Sequence, residues 1–280
     1  MARLRGATLA LKTSCRCPLV LDRVEHLRSA TLALKPEDEM ERKQGTVVVT
    51  GVTSGIGRAL VERLVNEGYR IVGVARRKDR LEELRERYGS AFRYVAADLA
   101  DARARTDLVA RVRELGPLDA LVNNAAECVY ESPLELEAVK LSRLLELNLV
   151  APMELCQGLA PNLSSSGRII QISSVTARFM ANAKFAPYGV TKEALERMTE
   201  ALRLELHPRG IGVCVVRPGL VDTEIYSKVS GFDGAMRKIR EQVPNWLLAD
   251  DVAEVIIWVL QRPPAVVVSE VTVLPRGQAR

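Results

Sequence analysis

Tyr188 and Lys192 stand four residues apart, in a stretch where Val190, Ala194, Leu195, Met198, Ala201 and Leu202 recur at helical spacing. That period predicts a helix over Tyr188–His207, with the phenol and the ammonium on one face, one turn apart. A free phenol has a pKa of about 10 and does not trade protons at neutral pH. An ammonium ~4 Å away, at an effective dielectric of ~20, favours the phenolate by up to ~4 kcal/mol. That is roughly three pKa units, so the expectation is a Tyr188 hydroxyl poised near working pH. Such a pair suits proton transfer to or from a carbonyl or alcohol oxygen. Tyr-x-x-x-Lys by itself is more often a surface pair, so its company decides.

The company begins at Thr50-Gly51-Val-Thr-Ser54-Gly55-Ile56-Gly57, which follows the β-branched run Thr46–Thr50 and opens an amphipathic segment. Glycines between a strand and a helix allow a tight turn and let the backbone approach a pyrophosphate at the helix N-terminus. Twenty residues on, the second apolar strand ends in Ala75-Arg76-Arg77-Lys78, where a site for an unphosphorylated ribose usually carries an acid. Guanidinium binds phosphate through charge-assisted hydrogen bonds, so the nucleotide inferred is NADP(H). Arg76 is the main contact, Arg77 a helper, and Arg58 either a second contact or helix surface.

Strand and helix signals alternate from Gly45 onward. Strands are expected at 46–50, 69–75, 92–97, 118–122, 168–173, 211–216 and 266–274. Helices are expected at 55–66, 78–88, 105–115, 136–159 (with a break near Pro152), 188–207 and 250–260. This alternation predicts an α/β, doubly wound parallel sheet of about seven strands covered by helices on both faces, as one domain. Residues 1–44 read differently. They are basic and acid-poor at their start, and are expected to be a poorly ordered extension, or alternatively an organelle presequence. Without them the chain is close to neutral, which argues against a nucleic-acid footprint. The five cysteines form no disulfide framework and fit a reducing compartment, and the two histidines support neither a metal site nor a Ser-His-Asp hydrolase.

Taken together and in order, these motifs resemble the short-chain dehydrogenase/reductase family from about residue 45 to the C-terminus. The resemblance implies catalytic roles for Asn148, Ser174, Tyr188 and Lys192, with Ser173 as a rival to Ser174. It implies cofactor contacts from Thr50, Gly51, Ser54, Gly55, Ile56 and Gly57, from Arg76 and Arg77, and from the adenine-bordering Asp98 and Leu99. Asn124 and Ala125 belong to the Asn-Asn-Ala-Ala run at the fourth strand's end. Tyr188, Lys192, Pro218, Gly219, Val221 and Thr223 complete the set. Two departures from the family pattern are visible: Ala126 replaces a glycine, and Ser174 to Tyr188 is one residue longer than usual. The expected reaction is hydride transfer between nicotinamide and a carbonyl or secondary alcohol, without metal. Residues 223–249 would form a lid. The C-terminal stretch is similar to the branch acting on small 3-hydroxy acids, for which Arg178 could meet a carboxylate. A dimer or tetramer in the cytoplasm is implied, and a catalytically silent NADP(H) sensor on the same fold is the alternative.

Overall fold

The computed structural model describes residues 45–226, 229 and 232–278. The expected extension at 1–44 and Lys228 of the lid lie outside them. Among the described residues, seven parallel strands form one sheet in the order β3-β2-β1-β4-β5-β6-β9: β1 Thr46–Thr50, β2 Arg70–Ala75, β3 Phe92–Ala96, β4 Leu118–Asn123, β5 Leu163–Ile172, β6 Gly212–Pro218 and β9 Glu270–Val273. A separate two-stranded piece pairs β7 (Val221–Asp222) with β8 (Leu247–Leu248).

Both faces of the sheet are covered. The side chains of successive β1 residues diverge to two cores: Val47 and Val49 join one, and Val48 the other. All three are fully buried, which is why the run reads as continuously apolar rather than alternating. On the first face lie α1 (Gly55–Asn66), α2 (Lys78–Tyr88) and α8 (Ala249–Leu260). On the second lie α3 (Ala102–Arg113), α5 (Ala151–Leu159) and the end of α6 (Ala186–Leu206). Asp101 caps α3, accepting a hydrogen bond from the Ala104 N–H at 2.8 Å.

The segment expected as one helix over 136–159 is three pieces: α4 (Ala138–Leu145), a π-helical turn Glu146–Val150, and α5. The interruption ends at Val150, two residues before Pro152. That proline sits in the first turn of α5, where its missing N–H costs nothing. The last strand is shorter than expected, because β9 pairs only with Val215–Pro218 of β6. Strand order reverses between β1 and β4, and at that crevice the carboxyl ends of the strands open a cleft.

Candidate active site

The cleft has a volume of about 510 Å³, within the usual range for a small-molecule site. One end is the glycine turn. Gly51 (φ +75°) and Gly55 (φ +52°) adopt backbone conformations that L side chains rarely take, and they bend the chain from β1 into α1. Ser54, Gly55 and Ile56 line the cleft there, while Thr50 and Gly57 do not. Thr50 is buried, and its hydroxyl oxygen accepts the N–H groups of Asn124 and Ala125 at 2.9 Å each. A Cβ at Gly57 would press into the Gly51 carbonyl and the Asn124 amide. Both residues therefore shape the turn from behind, and neither lines the cleft. Asn124 and Ala125 do reach the cleft wall, joined by Asp98 and Leu99 on one side and by Pro218, Gly219, Val221 and Thr223 on the other.

Arg76 and Arg77 line the same end of the cleft. Arg76 is half-exposed and pairs with Glu127 at 3.1 Å. Arg77 is held more tightly: it donates to the Thr53 hydroxyl at 3.0 and 3.1 Å and to Glu224 at 2.8 Å. Arg58 is not part of this wall; its partner is Glu83 at 3.9 Å.

The other end gathers the reactive side chains. Tyr188 and Lys192 leave the first turns of α6 and are buried at the cleft wall. Ser174 stands two residues past the end of β5; its hydroxyl oxygen accepts from the Thr176 N–H at 3.2 Å and the Thr176 hydroxyl at 2.9 Å. It lies near enough to the Tyr188 phenol that, against the larger upward push of burial, it draws that group's pKa down. Between Ser174 and Tyr188 the chain makes two short turns, Val175–Ala177 and Ala183–Phe185. Ser173 is differently employed, donating to the buried Glu196 carboxylate at 2.6 Å. Its hydroxyl is thus committed away from the phenol that Ser174 meets. Ala126 costs the fold nothing, since no non-glycine residue among those described has a positive φ.

Asn148 lies in the π-helical turn, fully buried and behind the cleft wall. Its carboxamide accepts the Glu127 N–H at 3.0 Å, and donates to the Glu127 carbonyl at 2.8 Å and the Thr191 hydroxyl at 3.1 Å. Its side chain therefore clamps the Asn-Asn-Ala-Ala loop to α6, and does not itself face the cleft. A π-turn at a functional position is a recurrent device.

The electrostatics differ from expectation. Burial pushes the Tyr188 phenol well above its ordinary value, with the neighbouring Cys128 and Tyr226 adding to the rise. Burial likewise lowers Lys192 to about 8. The ammonium donates to the Ile172 carbonyl at 2.8 Å and lies 5.8 Å from the phenol ring centroid, over its face. Desolvation outweighs attraction, and each group is held toward its neutral form. Arg178, for which the sequence left either a substrate carboxylate or a surface position open, takes the surface position. It is committed to Glu196 at 2.9 Å and Glu270 at 3.7 Å, and is absent from the cleft lining. Above the reactive end sits an aromatic cluster in which Tyr130 stacks near Phe185 and Phe232 at 4.9 and 4.8 Å, and Tyr226 contacts Phe232 and Trp246.

The family model for short chain dehydrogenases matches residues 45–232. The chain belongs to that family. Short-chain dehydrogenases related to it include a serine 3-dehydrogenase of Agrobacterium fabrum, 31% identical over 84% of this chain and 95% of the relative. A cyclic-di-GMP-binding biofilm dispersal mediator protein of Escherichia coli is 37% identical over 64% of this chain and 74% of its own length. Among solved structures, BdcA in complex with NADPH superposes with a TM-score of 0.72 at 32% identity, covering 82% of this chain and 93% of that one.

Four charged residues at the nucleotide end escaped the sequence reading. Arg80 donates to the Thr53 carbonyl at 3.1 Å and to Glu224 at 2.8 Å. Arg143 reaches from α4 to Asp98 at 3.2 Å and Glu127 at 3.1 Å. Arg80 carries a weak signal, one helical turn after Arg76 and Arg77. Nothing local marks Glu127, Glu224 or Arg143, whose partners are far away in sequence.

Proposed function

We propose that the protein is an NADP(H)-dependent oxidoreductase that moves a hydride between nicotinamide and a carbonyl or secondary alcohol, with Tyr188 as the acid/base. The observation that carries this is one continuous cleft. Tyr188, Ser174 and Lys192 stand at one end, and a positive-φ glycine turn with two arginines at the other. The residues present fit the cofactor. The turn offers backbone N–H groups at the start of α1, and the guanidinium pair is a donor set for a phosphate monoester. When bound, NADPH supplies the hydride.

The chain's own residues do the rest. Ser174 would hold the substrate oxygen beside the phenol. Tyr188, kept protonated by burial, donates its proton to that oxygen in reduction and takes it back in oxidation. Lys192 anchors the ribose side of the cleft, and its charge steadies the phenolate left behind. Asn148 acts as a positioning residue for the loop at Glu127. The aromatic cluster and Tyr226 would exclude water from the reactive end. A 3-hydroxy acid remains a second substrate class, supported by the serine 3-dehydrogenase relative, although Arg178 is engaged elsewhere.

Replacing Tyr188 by Phe tests the scheme. NADPH binding should stay within a few-fold of wild type, while turnover of a ketone and aldehyde panel falls by about 10²–10⁴. The dispersal-mediator relative supports the sensor alternative, in which wild-type protein binds NADPH and reduces nothing on the panel.

We also propose residues 45–280 as the catalytic unit, with 223–249 as its lid. The free thiols Cys128, Cys156 and Cys214 agree with a cytoplasmic setting. Among the described residues no helix is long and apolar enough to cross a membrane. Assembly as a dimer or tetramer through α4 and α6 is supported by Val139, Val190, Met198 and Leu204, which those helices expose.

A further inference from the structure

Glu224 comes directly after Thr223 and turns toward the nucleotide end. One of its carboxylate oxygens accepts from Arg77 at 2.8 Å, the other from Arg80 at 2.8 Å. Both arginines also hold Thr53 of the glycine turn, one on its hydroxyl and one on its carbonyl. Thr53, Arg77 and Glu224 line the cleft, and Arg80 closes the group from the first turn of α2. Two guanidinium groups converging on one planar anion is the arrangement a phosphate monoester takes. The position is also right, because Arg77 lies two residues past the end of β2, where the nucleotide ribose is read.

We infer that Glu224 is a specificity-determining residue: its carboxylate occupies the guanidinium pair that a 2′-phosphate would otherwise engage, and so restrains the preference for NADP(H) over NAD(H). The inference rests on the proposed NADP(H) reading. The two guanidiniums hold the Glu224 carboxyl down to about 2, so it is ionised throughout the physiological range and repels any incoming phosphate. A nucleotide without the 2′-phosphate meets no such competition, because it leaves the Arg77–Glu224–Arg80 group intact. The relation of Arg76 to Glu127 is looser. The Arg76 guanidinium is half-exposed, 3.1 Å from Glu127 and 3.9 Å from Asp98, and it shares neither acid with Arg77.

The test compares the full chain with Glu224→Gln, titrated with NADPH and with NADH and followed by the fluorescence of the reduced nicotinamide. Removing one negative charge beside a dianionic phosphate should tighten NADPH by about tenfold and leave NADH within about twofold. Glu224→Asp, which restores the charge, should return the NADPH-to-NADH ratio toward wild type. Adding Arg80→Ala to Glu224→Gln should cancel most of the gain. A Glu224→Gln protein whose ratio is unchanged, or whose affinities fall together, would show that Glu224 only braces the turn. Wild-type protein that binds neither nucleotide would fail the underlying reading; wild-type protein that binds NADPH beside an unmoved variant would fail this inference alone.

Discussion

Lys192 sets the pH dependence at the residue scale. Its ammonium is buried against Tyr188 and held down to about 8 by desolvation. The lysine is therefore charged below that value and loses its proton as pH rises through it, whereas the phenol stays protonated. We predict that kcat/KM for carbonyl reduction falls as pH rises through about 8, and that Lys192→Arg abolishes this limb because guanidinium keeps its proton. A profile flat to strongly alkaline pH would contradict the assignment. The spacing of the tyrosine–lysine pair needed the glycine turn and the arginines beside it to be read as chemistry, and its helix formed where the period placed it. Its acidification was not legible. The sequence says how far apart the two charges can be, but not how much water is lost around them, and here that loss decides the sign.

Helix α6 is the element that carries the site, and its buried face is unusual. Thr191, Lys192, Glu196 and Thr199 point inward, while Val190 and Met198 point out. The apolar periodicity thus located the helix without marking its buried face, because that face combines Leu195 with a polar centre. Glu196 accepts hydrogen bonds from Ser173 and Arg178, and a bidentate pair from Arg217 of β6 at 2.7 and 2.9 Å. Burial would raise its carboxyl, but these donors outweigh it and hold it below the ordinary range. Arg217→Met leaves a buried carboxylate short of its main partner. It should cost roughly 3–5 kcal/mol in urea unfolding, and adding Glu196→Gln should recover part of that loss. A loss under about 1 kcal/mol would show the pair to be effectively solvated. Helices α1 and α2 were readable to the residue because each pairs an amphipathic run with a turn signal. The π-helical turn was not. An inserted residue inside a helix leaves no mark in a pattern this short; Pro152 marked only the neighbourhood of the interruption, which ends at Val150.

At the scale of the whole molecule, two features follow from how the sheet is covered. Helices on both faces bury β1 completely, so the doubly wound class and the place of the cleft were readable from strand–helix alternation and the glycine turn. Long-range ion pairs were not readable, since Arg77 and Glu224 lie 147 residues apart and only the closed fold brings them together. The outward apolar side chains of α6 supply the other feature. Leu204 is 79% exposed and Val190 56%, and both lie on the helix proposed as an assembly face. Replacing both by Lys should lower the molar mass measured by light scattering to that of one chain, with the unfolding midpoint of the monomer little changed. An unchanged mass would rule out assembly through this face.

The carboxylate of Glu196 lies one helical turn beyond Lys192, and its field favours the protonated amine. That carboxylate shares Arg217 and Arg178 with Glu270, which belongs to β9 at the sheet margin. The outermost strand thereby has a hand in proton traffic at the centre. Drift at a peripheral position such as Glu270 would retune the enzyme's working pH while every residue that touches substrate stayed the same.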